Sequence, residues 1–125
     1  MSAAKTRALF YSAAVFNWLA AAILFAPFGI AQALGLEPAP INSPYEHIAL
    51  MAIVLFGIGY WWAGNDPLLN RPLIRLGMIG KLLVVALVWL AVAGGQANWR
   101  LGALASGDLV YAILFARYLY FGKRS

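Results

Sequence analysis

Four runs of roughly twenty mostly apolar residues, separated by breaks rich in proline, glycine or charge, occupy most of this 125-residue chain. In lipid, every backbone N–H and C=O must be bonded within the spanning segment, so a run of that length becomes a helix. Short breaks then make successive helices run in opposite directions. Composition agrees, since 64% hydrophobic and 10% charged residues lie far outside the range of soluble domains. The expected fold is all-α, an integral membrane antiparallel four-helix bundle forming one transmembrane domain over residues 1–125.

The expected spans are about 8–26, 45–63, 73–94 and 99–121. Pro27 and Gly29 end the first, because proline removes a donor and clashes with the preceding turn, and a short interfacial stretch follows through Leu34. The stretch from Leu36 to Pro44, with three prolines, is the clearest loop. Ser43 can then cap the second span, with Pro44 at its first position and Glu46 complementing the helix dipole. Gly64-Asn65-Asp66-Pro67 is a turn, Arg71-Pro72 opens the third helix and Gly94-Gly95 closes it. Lys5 and Arg7 ahead of an apolar run also suit a signal peptide. The run is longer than a signal core and is interrupted by Asn17-Trp18, so a span is expected instead.

Charge gives an orientation. With both termini cytoplasmic, Lys5, Arg7, Arg71, Arg75, Arg117, Lys123 and Arg124 share that side and Arg100 lies opposite, a positive-inside pattern. Glu37, Glu46 and His47 then fall on the outer side. Such scattered bases form no nucleic-acid stripe; their expected partners are membrane lipids with anionic head groups. Trp61 and Trp62 with Tyr60 at one boundary, Trp99 at the other, and Tyr118 with Tyr120 near the inner end read as interface anchors.

The residues that carry chemistry are few. The absence of cysteine removes disulfides, thiol catalysis and thiolate metal sites. Glu46-His47 has Glu37 as its sole nearby acid, so no metal site is expected, and no serine, histidine and carboxylate stand in a nucleophile arrangement. No catalytic residue is assigned and the cofactor is unknown; a membrane isomerase built on one buried acid would use Asp108. Lys81 in the third run and Asp108 in the fourth are ionisable groups at membrane depth, which must face each other or a polar cavity. Depth counting at about 1.5 Å per residue puts Asn17 and Asp108 near the midplane and Lys81 within side-chain reach. Gly77, Gly80, Gly102 and Gly107 suit close approach of the last two helices. Asp108, Tyr111, Phe115 and Tyr118 share one inward helical face. Lys81, Asp108, Asn17 and Tyr111 are therefore the candidate set, as a ligand site or as a structural ion pair.

Asn17, Pro27, Leu34-Gly35, Phe56-Gly57-Ile58-Gly59-Tyr60, Asp66-Pro67, Asn70-Arg71, Gly77, Gly80-Lys81 and Asp108-Leu109 give the chain a resemblance to the small bacterial four-helix membrane proteins of the broad DoxX-like type. The resemblance covers nearly the whole chain and implies an antiparallel bundle in the bacterial inner membrane. The family's function is mostly uncharacterised, so it carries no established catalytic residue across, and the chain lacks the fuller set of membrane acids expected for sterol-isomerase-like relatives.

Three functional classes fit the sequence. The first is an accessory or structural subunit of a larger membrane complex, with a filled interior and the ion pair as a staple. The second is a membrane-embedded binding protein for a lipid, quinone or isoprenoid-like ligand, which requires a cavity at Asn17, Lys81, Asp108 and Tyr111. The third is a small proton-coupled transporter working as a homodimer.

Overall fold

The computed structural model describes residues 2–36 and 40–121, without the side chain of Phe121. Glu37, Pro38, Lys123 and Arg124, used above in the loop and charge readings, lie outside the described residues. Helix α1 spans Ala3–Leu24; a 3₁₀ turn at Ala26–Phe28 leads into the short α2, Ile30–Ala33. Helices α3 (Pro44–Asn65), α4 (Arg71–Ala93) and α5 (Trp99–Ala116) follow, and α5 runs on into a π-helical turn, Arg117–Phe121.

Local chemistry sets these ends. Ser2 accepts a hydrogen bond from the Lys5 amide at 3.2 Å, so α1 begins well before its apolar stretch. It stops at Leu24, with Phe25 extended, because continuing would drive the ring of Pro27 into the preceding turn. Ser43 accepts from the Glu46 amide at 3.3 Å, with Pro44 opening α3. In the turn after α3, Asp66 Oδ1 accepts from the Leu69 amide at 3.2 Å, and Asn70 Nδ2 donates to the carbonyls of Trp62 and Asp66. Asn98 caps α5 by accepting from the Arg100 amide at 2.8 Å.

The four long helices are each long and apolar enough to cross a membrane. Contacts run in opposite senses along neighbours. Tyr11 meets Asn65 while Trp18 meets Val54, and Phe10 meets Tyr118 while Phe16 meets Tyr111. The chain is thus an up-down-up-down helical bundle, with α1 against α3 and α4 against α5 as its most extensive pairs.

Aromatic side chains seated in glycine notches join the helices. A Cβ on Gly57 would fall 2.4 Å from the Trp18 indole, one on Gly64 2.5 Å from Tyr11, and one on Gly102 2.8 Å from Trp89. The expectation that glycines bring α4 and α5 backbones together is corrected in part. Gly102 serves that pair, but Gly77 receives Tyr60 from α3, Gly107 receives Phe16 from α1, and Gly80 meets nothing within 4 Å. A flat ring fills the missing side chain's space and still leaves room for normal helix separation, so the notch acts between whichever helices the ring can bridge.

The buried core is aromatic and lies towards the end that carries the termini. Phe10, Phe115, Tyr60 and Ile74 are its largest fully buried side chains. Phe10 and Phe115 rings lie 5.1 Å apart, and Tyr60 meets Phe115 edge-on at 5.3 Å. Two aromatics expected at an interface belong to this core instead. Tyr60 is 2% exposed and Tyr118 5%, with the Tyr118 ring edge-on to Phe10 and beneath the Arg71 guanidinium at 5.7 Å. Arg71 also donates to the Leu119 carbonyl at 2.7 Å, bracing the π-helical turn across the bundle. The inward face shared by Phe115 and Tyr118 is what takes Tyr118 away from the surface. Trp61, Trp62 and Trp99 are exposed.

Candidate functional site

Lys81, on the face of α4 that turns to the interior, is 3% exposed, and its stem reaches across the bundle. Its Nζ donates to Asp108 Oδ1 at 2.6 Å and to Asn17 Oδ1 at 3.1 Å, bringing α1, α4 and α5 to one point. The remaining side of the ammonium faces the rings of Tyr60 at 5.0 Å, Phe16 at 5.3 Å and Tyr111 at 5.4 Å. Ring faces are electron-rich, so they take the place of water where no further acceptor is at hand. A buried charge is tolerable only when so enclosed by partners.

Asn17 is fixed by its other end. Its Nδ2 donates to the Ile53 carbonyl of α3 at 3.0 Å, which turns the amide oxygen towards Lys81. The reverse orientation would set donor against donor. Beside it, Trp18 Nε1 donates to the neighbouring Val54 carbonyl at 3.2 Å, its indole filling the space next to Gly57. The asparagine thus ties α3 into the cluster as well.

Tyr111 joins the set only through its ring. Its hydroxyl donates to Ser12 Oγ at 3.0 Å, away from Lys81. Asp108 is 16% exposed, and Oδ1 is its one oxygen in a hydrogen bond among the described residues.

The exposure of Asp108 is towards a cavity of ≈ 380 Å³ between the four long helices. Asn17, Tyr60, Lys81 and Asp108 form its polar end. Ala20 and Leu24 of α1, Ile53 and Phe56 of α3, Val84 and Val88 of α4, and Leu101 and Leu104 of α5 make the rest of the wall aliphatic or aromatic. Sequence reasoning did not assign Phe16, Phe56 or Tyr60 to the site. The spacing Phe56, Tyr60, Ala63 was the available signal, since i, i+4 and i+7 share one face and Ala63 is fully buried. Among the described residues no three histidine, cysteine, aspartate or glutamate side chains gather to hold a metal ion.

A concave, largely apolar space with a few convergent polar groups at one end is the general form of a small-molecule site, for which about 300–1,000 Å³ is usual. The polar end can orient a head group by hydrogen bonds and the walls can cover a tail. No family model, curated protein or solved structure matches this chain.

Proposed function

We propose that this protein spans a membrane and binds an amphipathic small molecule in the cavity that ends on Asn17, Lys81 and Asp108. The observation that carries the reading is the cavity itself: a staple needs its ion pair but no ≈ 380 Å³ of space beside it. Membrane insertion is supported by the four apolar helices and by outward faces carrying Leu19, Leu55, Leu83, Leu87 and Leu90 in the open. Positive-inside charge favours cytoplasmic termini, with Arg71 and Arg75 on the same side. Kinship with the DoxX-like proteins of bacterial inner membranes belongs to the same proposal and rests on the motifs quoted above.

Native mass spectrometry of protein extracted gently from its own membranes tests the binding reading. The expected spectrum shows a chain or homodimer retaining a discrete lipid-like mass, which Val84→Trp, filling the cavity from α4, removes. Release at fixed ratio with other membrane subunits and no retained mass would instead make the protein an accessory subunit. The transporter reading has no observation in its favour beyond the acid, since Asp108 is already held by Lys81.

A further inference from the structure

The cavity extends to one side of the polar cluster only. Its lining runs from Asn17 to Leu24, from Lys81 to Val88 and from Asp108 back to Leu101, a separation of seven positions in each case. With antiparallel neighbours these directions coincide, giving a depth of about 10 Å. On the other side the core of Phe10, Phe115 and Ile74 leaves no comparable space. Lys81 and Asp108 are therefore a floor. Three lining residues, Ala49 and Ala52 of α3 and Val84 of α4, are exposed, so the cavity opens sideways between α3 and α4. Near their connecting turn these two helices pack closely, at Gly59 against Leu73 and Tyr60 against Gly77.

A molecule in this space lies with its polar end on the floor, near the middle of the bilayer, and its tail towards the surface away from the termini. That is upside down relative to a phospholipid of the same leaflet. An ionic head would have to leave water for membrane depth, and the floor offers it no compensation. Lys81 and Asp108 cancel, and the pair is neutral whichever atom holds the proton between them. A hydroxyl or carbonyl suffers little from the same transfer and finds matching groups. Lys81 has a third N–H, facing the rings, to offer an oxygen, and Asp108 has a second oxygen to accept from a hydroxyl.

We infer, on the basis of the binding function proposed above, that the ligand is an uncharged amphiphile with a hydroxyl or carbonyl head, taken in sideways between α3 and α4 and held head-inward on Lys81 and Asp108. The test uses the full chain in lipid nanodiscs and three photoreactive probes with the same octyl tail and a tail-end diazirine. Their heads are a hydroxyl, a sulfonate and a trimethylammonium. The hydroxyl probe should label Ala20 to Leu24 and Val84 to Val88 on the order of tenfold more than either charged probe. Moving the diazirine beside the hydroxyl should shift the label towards Phe16 and Gly80, and Ala52→Trp, set in the opening, should suppress both patterns. Equal or stronger cavity labelling by a charged probe overturns the inference while leaving a binding protein. Labelling unchanged by Ala52→Trp overturns the sideways route. Failure of all three probes to label the cavity above the outward Leu87 and Leu90 removes the binding function itself.

Discussion

Lys81 is buried because a carboxylate, an amide oxygen and three ring faces replace its water. Removing the carboxylate alone leaves the ammonium under-compensated. Asp108→Asn should therefore lower stability, by about 2–3 kcal/mol rather than the roughly 3–5 of a fully buried pair, since the site is partly open and asparagine still offers Lys81 an oxygen. Lys81→Met combined with Asp108→Leu should recover much of that loss, because two apolar groups need no partner, while ligand retention is abolished. Thermal unfolding in one detergent, with ligand mass read in parallel, checks both; a double variant no more stable than Asp108→Asn would refute a simple pair. Lys81 and Asp108 were legible as partners because ionisable groups in apolar helices have few alternatives. Tyr60 and Tyr118 were misread because an aromatic near a span end suits an interface as well as a core, and only the helical phase separates the two.

At the scale of elements, the bundle is keyed by rings in glycine notches, and the notches differ in what they hold. Gly57 is filled by the Trp18 indole, whose N–H bonds the Val54 carbonyl, whereas Gly80 faces open space. Gly57→Ala should thus destabilise the α1–α3 pair, the clash outweighing the roughly 1 kcal/mol that alanine contributes to a helix over glycine. Gly80→Ala should retain that gain and raise the melting temperature slightly. Measured side by side, equal effects would contradict the notch assignment. The helices themselves were readable because length, prolines and caps act locally: Ser43-Pro44 marks the start of α3 in the sequence as it does in the structure. Which ring enters which notch was not readable, since it depends on the rotation of each helix about its axis. A cluster of small residues such as Gly80 and Ala105 reads equally as close packing or as empty space.

The whole molecule is half filled and half hollow, with aromatic packing towards the termini, a cavity towards the other end and a neutral polar floor between them. In the proposed orientation, with both termini cytoplasmic, the hollow half lies away from the cytoplasm. Because the chain has no cysteine, single cysteines at Ser2 and Gln96 report the topology without background. In intact cells a membrane-impermeant maleimide should label Gln96→Cys but reach Ser2→Cys only after permeabilisation; the reverse pattern would invert the orientation. The proposed binding function requires the cavity to be occupied by an amphiphile seated on Lys81 and Asp108. The most direct test is an electron-density map of the protein purified from its own membrane without exchange of its lipids. The expected map shows continuous elongated density from Lys81 and Asp108 to Leu24 and Val88. A map in which Phe56 and Val84 close on each other over an intact ion pair, with no density between them, would contradict it.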